Sequence, residues 1–302
     1  MILKKKDLAS VFLILLIIAL FDIVVGNISK KLILNIPDIG VNQTNAVQAM
    51  FKRNPDVLIL GPSSANHHYN CKIIQDSLHL SAYNAGRDGQ NIVYSTMVLK
   101  ATVERYIPRI VILDISDAMI DGDWNSHLSD MYCYYGISNQ VDSIIRDICT
   151  WQDQLKLNMN LYKYNNTFPW ILNGYLATPQ SEMNGYRPMP IQNGKMKMSI
   201  TRRIFKADEM DMKYLDLLVS TCKAHQIKLF VCSSPRLSVI KSDFSKIMEN
   251  YCTYHHLPYY NWNGDTTYTS HPDLFYDMSH LNSRGADKFT KEIVQILKDG
   301  NI

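Results

Sequence analysis

Residues 275–289 read F-Y-D-M-S-H-L-N-S-R-G-A-D-K-F, with Asp277 three residues before His280. An acid and a histidine on one turn can face each other, the acid holding the imidazole in one tautomer while the other ring nitrogen acts as a base. Such a base needs a nucleophile. One stands far away along the chain, in L-G-P-S-S-A-N-H-H-Y, where Ser63 follows the apolar run D-V-L-I-L-G. On a strand-to-helix turn a serine holds its hydroxyl at the sheet edge, with its own N–H near a helix start that favours anions. The segment N-A-G-R-D-G-Q-N adds a glycine turn, and Gly89 there offers a second N–H with no side chain in the way. Together these parts suit acyl transfer or ester hydrolysis.

These residues need a frame that brings them together. D-V-L-I-L-G (56–61), S-A-Y-N-A-G (81–86), R-I-V-I-L-D-I-S (109–116), I-K-L-F-V-C-S-S-P (227–235) and L-P-Y-Y-N-W (257–262) read as five strands. Between them stand helical stretches: one running to about His79, then 91–107, 207–226 and 242–256, with a last helix carrying Ala286, Phe289, Ile293 and Leu297 on one face. Strands alternating with helices require crossover connections. They predict a flavodoxin-like three-layer α/β/α fold with a mainly parallel five-stranded sheet. Ligands on such sheets bind beyond the carboxyl ends of the strands, which is where Ser63, Arg87, Gly89, Asp117, Ser233 and Ser234 fall. Residues 120–206 interrupt the rhythm with a segment rich in Tyr, Asn, Trp and Met, helical around 139–160, which reads as an insertion carrying substrate-binding structure or scaffold.

In its G-x-S after the first strand, its glycine turn after the second and its D-x-x-H-L-N-x-x-G before the last helix, the chain resembles the SGNH hydrolases, or GDSL esterases, over residues 54–300. L-G-P-S-S-A-N-H-H-Y is similar to membrane-anchored cell-envelope members. The resemblance implies Ser63 as nucleophile, Asp277 and His280 as its partners, and the N–H groups of Ser63 and Gly89 as an oxyanion hole. It also implies an ester-bearing glycan or small ester as substrate, a membrane acyltransferase as a partner, and no cofactor. One feature departs from the family: an Asn is expected after the third strand, and here L-D-I-S-D-A-M-I-D puts Asp117 near that place. An ionised carboxylate cannot donate a hydrogen bond to an oxyanion, so a third donor comes from elsewhere, with Asn125 and Arg87 as candidates, or the hole has two. His67, on the first turns after Ser63, is a further candidate to line the pocket. Each residue alone has a plain structural reading: small residues suit tight turns, and Asn282 caps a helix. The rival function is a non-catalytic glycan-binding or assembly subunit of an envelope acylation system.

The N-terminus has a different character. Lys4, Lys5 and Lys6 precede an almost uncharged run from Leu8 to Gly26, long enough to cross a bilayer's hydrocarbon layer. The lysines favour a cytoplasmic N-terminus and a domain outside the cytoplasm, and Asp22 lies close enough to one end to reach the interface. The small-residue site Val24-x-Gly26 also suits a cleaved signal peptide. The expected organisation is an anchor over 1–26, a linker over 27–50, and a catalytic domain over 51–302 with its insertion. A net charge of +3 without a basic block does not point to nucleic acid. Histidines and cysteines show no metal-binding spacing. Six cysteines leave disulfide pairing open, several of them in apolar stretches that suit core thiols.

Overall fold

The computed structural model describes residues 5–40, 42–122, 128–192 and 196–300. Two compact units emerge: Met1–Pro37 with Ser129–Ala177, and Asp38–Leu128 with Thr178–Ile302. The strands all belong to the larger unit: β1 (Val57–Leu60), β2 (Ala82–Asn84), β3 (Ile110–Asp114), β4 (Ser199–Arg202), β5 (Lys228–Ser233), β6 (Ser238–Lys241) and β7 (Tyr259–Asn261). In chain order the helices are α1 (Lys5–Asn35), α2 (Asn42–Phe51), α3 (Ser63–His68), α4 (Cys71–Leu78), α5 (Ile92–Val103), α6 (Asn139–Ile148), α7 (Trp151–Leu157), α8 (Asn160–Lys163), α9 (Phe168–Leu176), α10 (Glu209–Ala224), α11 (Phe244–His255), α12 (Thr266–Thr269) and α13 (Ser283–Asp299). Of these, α1 and α6–α9 belong to the smaller unit.

Five strands form a parallel sheet in the order β2-β1-β3-β5-β7, with helices on both sides, so the fold is a flavodoxin-like α/β/α sandwich. Parallel strands covered on both faces must be apolar throughout rather than alternating. That is why V-L-I-L and I-V-I-L-D are buried at every position. One face, with Val57, Ile59, Ile110 and Ile112, packs on Phe289, Ile293 and Leu297 of α13 and on Ile74 of α4. Leu58, Leu60, Val111 and Leu113 alternate to the other face; in that unit α5 and α10 pack on each other, where the Thr96 hydroxyl donates to the Tyr214 carbonyl at 2.9 Å. The chain winds outward from β1 to β2 and then returns past β1 to β3. The reversal opens a crevice at the carboxyl ends of β1 and β3, which their register (Val57↔Ile110 through Leu60↔Leu113) brings level.

All five expected strands are present. The helix expected to run to His79 is two helices, because Asn70 turns the chain and its side chain caps α4 through Lys72 N–H. A separate two-stranded parallel sheet, β4 with β6, was not expected. Residues 27–50, expected as a linker, carry the end of α1 and all of α2 but its last residue, Phe51. Helix α1 continues because Gly26, Ser29 and Ile33 recur at spacings of three and four and form a buried seam, which Ile36 extends just past the helix end. The insertion expected at 120–206 contributes residues 129–177 to the smaller unit.

In that unit α1 is long and apolar enough to cross a membrane. Its apolar side chains from Leu8 to Val24 are exposed. Toward its C-terminal end the short helices attach. Asp22 accepts hydrogen bonds from the Asn160 backbone at 3.0 Å, the Asn160 side chain at 3.0 Å and the Leu161 backbone at 2.8 Å, all at the start of α8. A side chain at Gly26 would collide with Asn160, and one at Gly174 would collide with Ile36. Tyr175 of α9 donates to the Leu32 carbonyl at 2.9 Å.

Candidate active site

Ser63 begins α3 immediately after the Gly61-Pro62 turn. Gly61 has φ 143°, and a Cβ there would collide with the carbonyl of Asp114, so only glycine lets β1 turn this tightly beside β3. Gly86, after β2, lies against Ala65 and Asn66 of α3 in the same close way. Two glycines thus fix α3, and with it Ser63, against the sheet.

The other half comes from the loop before α13. Asp277 Oδ1 accepts the backbone N–H groups of Ser279 at 2.7 Å and His280 at 2.8 Å, which winds residues 277–280 into a tight turn. That turn brings the His280 ring back onto its own acid, Nδ1 lying 2.9 Å from Oδ2 and 3.0 Å from Oδ1. On the opposite edge of the ring, Nε2 lies 2.7 Å from Ser63 Oγ. Since a carboxylate only accepts, Nδ1 carries the proton and donates to Asp277, which leaves the Nε2 lone pair facing the serine hydroxyl. Burial alone would raise the Asp277 pKa. The hydrogen bond from the His280 ring, those from the two backbone N–H groups and the charge of His280 outweigh it and hold the carboxyl below its ordinary range. Ser63, His280 and Asp277 therefore meet, although 217 positions separate the first two in sequence.

The loop is held in place from two sides. Leu281 N–H donates to His68 Nε2 at 3.0 Å, and Ser238 N–H of β6 donates to the Met278 carbonyl at 2.8 Å. His68 is fully buried, and that burial, with the nearby His280, His67 and Arg236, pushes its pKa well below the usual histidine value. It stays neutral and so remains an acceptor. His67, in contrast, points its Nδ1 at the Arg187 carbonyl (2.7 Å) and its Nε2 at Asp88 (3.1 Å), with its ring edge-on to His280 at a centroid distance of 5.4 Å.

Ser63 and His280 open onto a cavity of about 210 Å³ whose walls include Asp114, Asp117, Ser234, Arg236 and Phe244. Asp117 lies where the resemblance expects an asparagine. Its charge is offset by Arg236 at 3.6 Å and by Arg203 at 3.4 Å, the latter shared with Asp121, which it pairs with more closely. Gly89 sits exposed in a left-handed turn (φ 69°) and is not among the described residues lining this cavity. Arg87 is buried beneath the same turn, its guanidinium 5.7 Å from the centre of the Tyr94 ring and its backbone N–H on the Gly61 carbonyl. Asn125, the other candidate donor, falls outside the described residues.

Sequence reading missed two acidic and basic features of the cavity. Asp114, the last residue of β3, is fully buried; burial lifts its pKa to about 6 against the opposing hydrogen bonds of Ser234 and Ser64. Both the Ser234 hydroxyl and its backbone N–H point at this carboxyl. Arg236 follows β5 in a segment that carries no catalytic motif. The signal available for both was position alone, at strand ends beside the crevice. No protein-family model matches this chain, and no curated protein matches it.

Proposed function

We propose that this chain is a serine-dependent esterase or acyl transferase of the SGNH type, acting on a short acyl ester at the outer face of a membrane. The observation that carries the reading is the unbroken relay from Ser63 Oγ through His280 to Asp277, with both contacts at hydrogen-bond distance. In the proposed reaction His280 Nε2 takes the Ser63 proton as Oγ attacks the acyl carbonyl. The resulting imidazolium is stabilised by Asp277, then gives its proton to the departing alkoxide as the acyl-enzyme forms. Water or a sugar hydroxyl next loses its proton to His280 and attacks the acyl-enzyme, and His280 Nε2 returns that proton to Ser63 Oγ as the acyl–Oγ bond breaks. The Ser63 N–H lies in the first turn of α3, where backbone donors have no intrahelical acceptor, and it stabilises the oxyanion; Gly89, exposed and away from the cavity lining, is left without that role.

A cavity of about 210 Å³ favours a short acyl group, since sites for larger ligands commonly begin near ~300 Å³. The offsetting of Asp117 by two arginines supports activity, because an unopposed carboxylate there would repel the oxyanion. The apolar helix α1 supports a place at the membrane, and a lysine-flanked N-terminus in the cytoplasm leaves the α/β unit outside, facing an envelope glycan or a related ester. The test is turnover of p-nitrophenyl acetate by the full chain in detergent. The wild type should hydrolyse it, with Ser63→Ala and His280→Ala each losing at least ~10³-fold. Equal turnover by the wild type and Ser63→Ala, or none by a folded wild type, would favour a glycan-binding or assembly subunit instead.

A further inference from the structure

We infer that helices α7–α9 form a collar embedded in the outer interface of the membrane, with their exposed apolar faces in contact with lipid. This rests on α1 crossing a bilayer and is independent of the serine chemistry. The argument begins with depth. An α-helix rises ~1.5 Å per residue and the hydrocarbon layer is ~30 Å thick, so about 20 residues span it. Starting at Leu8, the first residue of the apolar run, the outer boundary falls near Ile28. Asp22 then lies below that boundary, inside the layer.

An acid at that depth needs partners. Asp22 has them: the first two backbone N–H groups of α8 and the Asn160 side chain. The contact between Gly26 and Asn160 repeats the attachment one turn higher. The start of α8 is therefore tied to α1 at a level where the surroundings are acyl chains and headgroups. Higher still, α9 is tied to Leu32 and Ile36.

The surface chemistry of these helices fits that depth. On α9, Phe168, Leu172 and Leu176 recur every fourth residue and so form one stripe, yet the stripe faces outward; Leu172 is 61% and Leu176 76% exposed. On α7, Trp151 and Leu155 share a face in the same way, and Trp151 is 67% exposed. A helix in water turns such a stripe inward. Outward-facing leucines with an aromatic residue at headgroup level are the pattern of interfacial helices. Their attachment to α1, whose own apolar side chains are exposed, selects lipid over a soluble partner.

The experiment uses the full chain, one copy per nanodisc of phosphatidylcholine and phosphatidylglycerol, with a nitroxide on Leu172→Cys or, separately, on Leu155→Cys. The six native cysteines are buried, and labelling of the wild type provides the background. Tyr254→Cys, exposed on the α/β unit, is the aqueous reference. At positions 172 and 155, collision with oxygen should exceed collision with a water-soluble nickel chelate several-fold, with the opposite order at position 254. Nickel accessibility at both collar positions equal to that at 254 would overturn the proposal. Because the disc, apart from its scaffold belt, holds no partner protein and no second copy, that result would mean the stripe awaits one of them.

Discussion

Replacing Asp277 by asparagine isolates one hydrogen bond of the relay. The Asn oxygen can still accept from Ser279 and His280 N–H, contacts now at 2.7 and 2.8 Å, so the turn persists. What changes is the group facing His280 Nδ1. Where a carboxylate oxygen now accepts at 2.9 Å, an amide NH₂ would donate. The imidazole then moves its proton to Nε2, the atom 2.7 Å from Ser63 Oγ, and can no longer take the serine proton. In a Ser-His-Asp relay the wrong tautomer costs roughly 10⁴ in rate, and loss of the carboxylate's charge beside the imidazolium acts in the same direction. The assay is the second-order rate of inactivation by a fluorophosphonate at pH 7.5, followed against circular dichroism to verify the fold. Inactivation of a folded Asp277→Asn within about threefold of the wild type would refute the relay.

Two further outcomes follow from the geometry. Asp114 carries a folded pKa near 6 against an ordinary 3.8, so the folded state binds the extra proton between those values and stability falls as pH rises through about 4 to 6. Over the full window that contribution is about 3 kcal/mol, most of it between pH 4 and pH 7. Because the lowered pKa values of His68 and Asp277 act in the opposite direction, the readout is the stability of the wild type minus that of Asp114→Asn, which urea titrations should show falling from pH 4 to pH 7. At the other end of the chain, the buried seam of α1 from Gly26 to Ile33 and the Asp22–α8 bonds make residues before and after Gly26 part of one packed unit. Peptide mapping of the membrane-extracted protein should therefore find residues 8–26 still joined to residue 27, and a species beginning at residue 27 would contradict it.

How far the sequence reveals this structure depends on burial. The central strands β1 and β3 are legible because burial on both faces forces apolar runs such as V-L-I-L and I-V-I-L, whereas the edge strand β7, Y-Y-N, is only partly buried and is marked by its place in the strand–helix alternation. Strands β4 and β6 are illegible for the opposite reason: S-I-T-R is exposed along its length, and no periodic pattern marks it. The smaller unit is hidden differently, since the leucines of α9 point outward and a pattern reading assigns such a stripe to a core. Ser63, Asp277 and His280 are legible together because each sits at a strand end or on a tight turn, where backbone position constrains residue type. The environment of Asp117 is not, because Arg203 and Arg236, the cations that offset it, are roughly 90 and 120 positions away in sequence. His68 reads as one of a histidine pair, and only the packed loop shows that it, and not His67, accepts the Leu281 N–H.

The central claim is that Ser63 is made nucleophilic by the imidazole it touches. Its most direct measurement is peptide mapping of the full chain after reaction with a fluorophosphonate. The relay predicts one phosphonyl adduct, on Ser63 and not on the neighbouring Ser64, whose hydroxyl is engaged with Asp114. An adduct on any other serine, or an unmodified Ser63 in folded protein, would contradict it.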